Sequence, residues 1–444
     1  MTSSPINILR FTRRFILRTL AQLIIWRHRP GIVGVTGSVG KTSTKLAMAA
    51  VLGSERKIRF APESYNNEIG FPLTIIGGWS ERDIKLVSNT EPSGIKKIRK
   101  VFFWTKIFIV GVVAILRRKS NYPEILILEY GIQKPGDMKE LLEIAKPNIG
   151  VVTAIGEIPV HVEFFAGVVD TLSREKSRLV EVLPAAGFAV LNYDDDTVMR
   201  MKDRTRARVV SFGFGEGADV RITNFENRSE KSRPLGIAFK LEYAGSFVPV
   251  RLDGVFGKAQ AYAAAASAAT SLIFGVNLIK IAESLKNYRP VRGRMTLEDG
   301  IKGTLIINDS YNAAPLSMHA ALDTLKSLKA KRKIAVLGDM LEIGEYTLEA
   351  HEAMGRIAAK TVNMLVTVGA RAKFIAETAK KSGLQRKNII SFETAEEAKL
   401  PIQAMLKSGD LVLIKASHAM DFDKIVEEIR LPKEVQKQPL VNSH

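Results

Sequence analysis

Residues 31–45 read GIVGVTGSVGKTSTK, a short apolar strand that runs into a glycine-containing loop and then into the start of a helix. Ile32, Val33 and Val35 fit a parallel strand covered on both faces. Gly37 and Gly40 let the backbone turn so that successive N–H groups of Thr36, Gly37, Ser38, Val39 and Gly40 face one centre, to which the following helix adds its N-terminal dipole. In such a loop Lys41 sits on the outer phosphates of a nucleotide and the Thr42 hydroxyl on Mg²⁺, with Ser43 completing the first helical turn. The strict GxxxxGK[ST] pattern wants Gly at position 35, where this chain has Val35, but the TGSVGKTS core is complete.

Composition bounds what surrounds this loop. A chain of 444 residues that is 46% hydrophobic can bury two or three cores, and its alternation of apolar runs with helical patterns predicts an α/β protein of more than one domain. The absence of cysteine excludes disulfides and thiolate-bound metal, fits a cytoplasmic protein, and leaves oxygen or histidine ligands for any metal. Of the formal charge of +19, residues 1–30 and 91–120 hold 14 basic side chains against Glu91, a net +13, which leaves +6 for the remainder. Charge so localised predicts two contacts with something acidic rather than a nucleic-acid coat, and aromatic residues are not interleaved with basic ones as on single-strand-binding surfaces.

Along the chain, residues 1–30 predict a basic amphipathic helix with Ile8, Leu9, Phe15, Ile16, Leu20 and Leu23 on one face, opposite Arg10, Arg13, Arg14 and Arg18. Two readings stand side by side: a helix lying on a membrane interface, or one packed on the next domain with its arginines in water. Residues 96–119 pose the same choice, since their longest uncharged run is 10 residues, about half of what a bilayer span needs. Strands are expected at 57–61, 124–129, 149–155, 186–192 and 207–212, and antiparallel hairpins over 219–254. Residues 64–72 read as a polar loop, 258–273 as an Ala-rich helix and 287–290 as a linker. A second α/β unit follows, with strands at 304–309, 333–338, 364–369 and 411–415, and residues 433–444 form a tail. The expected fold is α/β, a phosphate-loop parallel-sheet ATPase domain over 31–290 followed by a smaller Rossmann-like domain over 291–432. Glu129 and His161 fall at or just after strand ends, where an open parallel sheet collects its ligands, so both are expected in the metal-phosphate region.

The motifs TGSVGKTSTK (36–45), NNEIGFPLT (66–74), LEYGIQKPGDM (128–138), HVEFF (161–165), REKS (174–177), RGR (292–294), NDSYNAAPLSM (308–318), GDMLEIGE (338–345) and IKASHAM (414–420) together resemble the Mur ligase family over residues 31–430. NNEIG, DSYNAAP and GDMLEIG are similar to its D-alanyl-D-alanine-adding branch. The resemblance implies ATP-dependent amide formation on a UDP-muramoyl peptide through an acyl phosphate, in a cytoplasmic monomer, with ATP and Mg²⁺ as cofactors; a peripheral contact with an anionic membrane surface is expected instead from the two basic stretches, 1–30 and 91–120. The resemblance also implies that Thr42, Glu129, His161 and Lys176 hold Mg²⁺, that Lys176 is carbamoylated, and that Arg294 reaches the nucleotide phosphates while Asp309 binds ribose. Asn66, Asn67, Tyr311, Asn312 and Lys415 would face the substrates. Differences from the family pattern are equally plain: 30 residues instead of a substrate-holding domain precede the phosphate loop, Lys176 lies one residue further from His161, GKAQAYAAAA replaces GxHNxxNAxAA, and Ala416 and His418 replace Gly and Arg.

Overall fold

The computed structural model describes residues 5–63, 65–79, 83, 94–231 and 233–432, with the backbone only for residues 5–11, 94–98 and 100. The expected tail therefore lies outside the described residues, as do the side chains of Ile8, Leu9 and Arg10. The chain forms two α/β units, each around its own sheet.

The first unit is built on β1 (Gly31–Thr36), β2 (Ile58–Phe60), β3 (Ile125–Glu129), β4 (Ile149–Val152), β5 (Phe188–Asn192), β6 (Arg208–Gly213), β7 (Val220–Glu230), β8 (Arg233–Tyr243) and β9 (Ser246–Asp253), in the order β2-β3-β1-β4-β5-β6-β7-β8-β9. From β2 through β7 neighbouring strands pair in parallel, and the last two pairings are antiparallel. All five residues of β3 are buried, as expected for a strand covered by helices on both faces. Strand β1 lies between β3 and β4, where the strand order reverses, and the loops after these strands enclose one crevice. The phosphate loop leads into α2 (Lys41–Leu52), on which the helix Lys258–Ile273 packs. Ala263, Ala264, Ala265, Ala266, Ala268 and Ala269 are essentially inaccessible there, and their small side chains let the two helices approach closely.

The second unit contains β10 (Thr296–Asp299), β11 (Leu305–Asp309), β12 (Arg332–Gly338), β13 (Met364–Val368), β14 (Ile389–Phe392) and β15 (Asp410–Lys415), in the order β10-β11-β15-β12-β13-β14. Only the β10–β11 pairing is antiparallel. Both β10 and β14 are four-residue edge strands absent from the sequence reading. Short edges carry too few alternating positions for a period of two to emerge.

Three expectations are corrected. Helix α1 (Pro5–His28) buries Leu17, Leu20, Ala21 and Ile24, whereas Phe15, Ile16 and Leu23 face outward, so the apolar side inferred from the sequence is largely the exposed one. The cause is that α1 is apolar on two sides, and packing selects one of them. Residues 70–72, read as loop, begin helix α3 (Gly70–Ile76), because Asn67 Oδ1 accepts from the N–H groups of Ile69 and Gly70 and caps it. The 287–290 stretch is anchored rather than free: Tyr288 is buried and donates to Gln260 Oε1 at 2.7 Å.

Gly34 supports the centre of this arrangement. A Cβ there would meet Tyr130 Cε2 at 2.7 Å and Leu179 Cδ1 at 3.1 Å, and the Tyr130 ring is pinned by its hydroxyl, which donates to Ala145 O at 2.7 Å. Gly34→Ala is expected to lower unfolding stability by about 1–3 kcal/mol in a denaturant titration. Unchanged stability would show that the ring can give way.

Candidate functional site

The site forms where the loop after β1 meets the ends of β3 and β4. Gly37 has φ +144°, and a Cβ on it would lie 2.1 Å from Thr153 Oγ1, so no larger residue fits. Thr153 fixes the loop by donating to Val39 O at 2.6 Å and Thr36 O at 3.1 Å. Ser38 and Val39 also turn their N–H groups to Ala154 O, at 2.6 and 3.3 Å. Ser38 and Val39, expected to turn their N–H groups to a phosphate, thus direct them to the Ala154 carbonyl.

At the end of β3, the Glu129 carboxylate gathers its surroundings. It accepts from Lys45 Nζ at 2.9 Å, from Thr42 Oγ1 at 3.1 and 3.3 Å, and from Asn66 Nδ2 at 3.3 Å. Burial opposes its charge, but Lys45 and Lys41 outweigh burial and hold the carboxyl below the ordinary glutamate range. Lys45 is inaccessible, and burial lowers its own pKa against the pull of Glu129. Lys41 folds back to donate to Gly37 O at 2.8 Å, and Lys176 reaches the same carbonyl at 3.2 Å. Burial, reinforced by the nearby Lys41 charge, drives the Lys176 amine well below the usual lysine range.

The second unit enters through Arg294, whose Nη2 donates to Thr42 Oγ1 at 3.1 Å and whose guanidinium lies 3.9 Å from the Tyr311 ring centroid. Gln260 fixes the backbone at this point: its Nε2 donates to Arg294 O at 3.0 Å. Lys41, Lys45 and Arg294 thus crowd one buried carboxylate, and Lys176 stands beside Lys41 on the carbonyl of Gly37. Ser38 Oγ and Arg294 Nε are buried here without hydrogen-bond partners among the described residues. An excess of positive charge with unsatisfied polar atoms suits a polyanion.

Other expected residues are placed differently. His161 turns to the second unit, its Nδ1 2.6 Å from Glu342 Oε2, and no contact joins it to Thr42, Glu129 or Lys176 among the described residues. Both His161 and Glu342 adopt left-handed backbone, at φ +72° and +63°, a conformation sustained only where the surroundings enforce it. Tyr346 extends this contact, its hydroxyl donating to Gly167 O at 3.0 Å. Asp309 Oδ2 accepts from Lys415 Nζ at 2.6 Å and its Oδ1 from Met295 N at 3.0 Å. Lys415 is buried and also donates to Asn312 O, so it acts as the internal partner of Asp309 rather than a cation facing substrate. Asn67 is engaged as the cap of α3, and the Asn312 side chain accepts from Ala313 N at 2.9 Å.

Comparison with known proteins places the chain in a family. The family described as "Mur ligase middle domain" matches residues 108–270, and "Mur ligase, glutamate ligase domain" matches residues 293–418. The UDP-N-acetylmuramoyl-tripeptide–D-alanyl-D-alanine ligase of Mycobacterium leprae is 30% identical over 420 residues, covering 89% of this chain and 72% of that protein. The chain belongs to the Mur ligase family. The ligase of the same name from Bacillus subtilis is 27% identical, covering 93% of this chain and 79% of its own. The crystal structure of a MurF ligase from Thermotoga maritima, in complex with ADP, superimposes with a TM-score of 0.73 at 25% identity, covering 94% of this chain and 83% of that one.

Two residues of this Mur ligase escaped the sequence reading. Lys45 was detectable, since it stands one helical turn after Lys41 and shares its face of α2. Gln260 was visible only as a departure from the family pattern, and its contact with Arg294 depends on a fold that brings residues 34 positions apart together. Lys45→Met is expected to destabilise the fold by about 3–5 kcal/mol, because Glu129 is left buried without its principal counter-charge. Lys45→Met/Glu129→Gln should recover much of that loss in denaturant unfolding. Equal losses in the single and double variants would show that the two side chains are not coupled.

Proposed function

We propose that this chain is an ATP-dependent, ADP-forming ligase that joins D-alanyl-D-alanine to a UDP-muramoyl tripeptide, the reaction named for the Mycobacterium leprae and Bacillus subtilis relatives. The observation that carries the reading is the continuous polar chain Lys45–Glu129–Thr42–Arg294, which ties the phosphate loop of one unit to an arginine of the other. Substrates of this kind are cytoplasmic compounds, so the reading makes the chain a cytoplasmic protein.

Forming an amide from a carboxylate requires an activated acyl group. A substrate carboxylate oxygen attacks the γ-phosphorus of ATP and ADP leaves. The amine then attacks the acyl carbon, phosphate departs with its bonding electrons, and the former amine loses a proton. Negative charge gathers on the transferred phosphoryl throughout, so fixed positive charge supplies the principal assistance. Lys41 swings from Gly37 O to that group, and Arg294 approaches it from the other unit. Asp309 remains the candidate for ribose, on exchanging its Lys415 or Met295 bond. Asn66 and Tyr311, beside Glu129 and Arg294, are the candidates for substrate contact.

The Thr42 hydroxyl and Glu129 carboxylate are hard oxygen donors already 3.1 Å apart, which fits Mg²⁺. When bound, the ion neutralises phosphate charge. Among the described residues no group of three His, Cys, Asp or Glu side chains could hold a metal, so the nucleotide phosphates would have to supply much of its coordination. His161 would join only on leaving Glu342. The amine of Lys176, whose charged form burial disfavours, suits attack on CO₂, giving an N-carboxylate and releasing one proton; that anion would offset the surrounding cations.

Phosphate release from ATP by the purified chain is expected to need both the UDP-muramoyl tripeptide and D-alanyl-D-alanine. Release with another amine acceptor, but not with this dipeptide, would reassign the substrate within the family. Lys41→Ala should reduce the rate by roughly 10²–10³-fold with an unchanged unfolding curve. Near-normal turnover would remove the phosphate-loop assignment. Lys176→Ala should be severely impaired and partly restored by formate or acetate, whose carboxylate replaces the lost anion. If neither restores activity, Lys176 is a structural amine.

A further inference from the structure

Helix α1 packs beside α4 (Gly94–Leu116), and the pair carries the two basic stretches of the chain. Three contacts define their relation. Arg13 lies over the Trp104 ring at 5.1 Å, Leu20 packs on Gly111, and His28 Nε2 is 2.8 Å from Ala114 O. Partner positions rise together on both helices, so the helices run in the same direction and their basic carboxyl ends meet.

The inward faces are conventional: Leu17, Leu20 and Ile24 of α1 and Phe103, Ile107 and Ala114 of α4 are buried. The outward faces are not. A helix on a protein surface turns polar residues to water, yet α1 presents Phe15, Leu23 and Trp26, and α4 presents Phe102, Ile109 and Leu116. Trp26, Phe102 and Leu116 are 70%, 74% and 77% exposed, so these are large side chains standing in solvent rather than the margins of a core. On both helices they recur at helical spacing, forming two apolar stripes. At the shared carboxyl end stand Arg27, Arg29, Arg117, Arg118 and Lys119, all exposed. None of the five forms an ion pair among the described residues, whereas Arg14 and Arg18, on the side toward the protein, pair with Glu68 and Glu143.

We propose that the outward faces of α1 and α4 form one docking surface for an anionic lipid bilayer. Apolar stripes ended by unpaired cations match the profile of such an interface, where side chains enter the acyl boundary while long basic chains reach the head groups. A protein partner would need a complementary groove that is both apolar and acidic, whereas an anionic bilayer offers both properties at any orientation about its normal. The attachment is peripheral: among the described residues no helix is long and apolar enough to cross a membrane. Two helices matter because one amphipathic element gives only reversible binding, and each added basic residue strengthens it near an anionic surface. The proposal does not depend on which amide the enzyme forms.

The test is co-sedimentation of the full chain with vesicles of phosphatidylglycerol and phosphatidylcholine, set against phosphatidylcholine alone. Binding should be at least about tenfold tighter on the anionic vesicles, weaken in high salt and shift tryptophan emission to the blue as Trp26 leaves water. Trp26→Glu/Leu116→Glu and Arg117→Glu/Arg118→Glu should each lose roughly tenfold or more in partitioning. Phosphate release in vesicle-free solution should stay unchanged, since none of the four residues touches the site. Should the first variant unfold early, Phe102→Ser/Ile109→Ser provides a milder disruption of the same face. Failure to bind anionic vesicles, equal binding to both vesicle types, or full binding by folded variants would overturn the proposal. So would a dimer in sedimentation velocity that Trp26→Glu abolishes, because the face would then belong to a second copy of the chain.

Discussion

One buried carboxylate sets the terms for this structure. Glu129 ends the fully covered strand β3, and placing its charge there without partners would cost several kcal/mol. Lys45, Thr42 and Asn66 together offset that cost, and each comes from a different turn or loop. Satisfying Glu129 therefore fixes three things at once: the orientation of the first turns of α2, the approach of the 65–69 loop, and the distance between β1 and β3. Through Thr42 the same network reaches Arg294, so the relative position of the two units also depends on it. The ion pair of Lys45 with Glu129 shares its carboxylate with Thr42, so the first two turns of α2 are held by one acceptor.

Much of the fold was legible because its signals are local. The Ala-rich stretch occupies 258–273 as a helix, and the runs at 31–36 and 125–129 are strands with no exposed face. What escaped depends on packing between distant segments. Both edge strands β10 and β14 exist by pairing with β11 and β13, and four residues leave no periodic trace of their own. Helix α1 was identifiable, but not its buried side, because Phe15 and Leu23 are as apolar as Leu17 and Ile24. Within the site, the sequence brought Thr42, Glu129 and Arg294 into view, and the structure joins them. His161 was expected with them, yet strand placement cannot reveal that Glu342, 181 positions later, brings its carboxylate to 2.6 Å.

The link between the units runs along two separate paths. Gln260 accepts from Tyr288 and donates to Arg294 O, so a helix of the first unit holds both ends of the connecting segment. A second path joins the 161–167 loop to 342–346 through His161 with Glu342 and Tyr346 with Gly167. Closure is therefore specified by side chains on both sides of the site, and the connecting segment is a tether with fixed ends. Movement between the units would have to break the His161–Glu342 contact and the Arg294–Thr42 bond.

The phosphate loop is satisfied by its own protein. Lys41 and Lys176 both reach Gly37 O, and Ser38 and Val39 donate to Ala154 O. A nucleotide must therefore exchange bonds rather than simply fill space. Lys41 loses a neutral carbonyl and gains an ionised phosphate, a stronger acceptor, so its exchange is favourable. Ser38 and Val39 gain less, because their donors already have partners inside the fold. Lys176 shares the Gly37 carbonyl with Lys41, and after burial itself the Lys41 charge is what most depresses it. The two lysines therefore sense each other across one backbone carbonyl, and the phosphate loop ties the buried amine to its own principal cation.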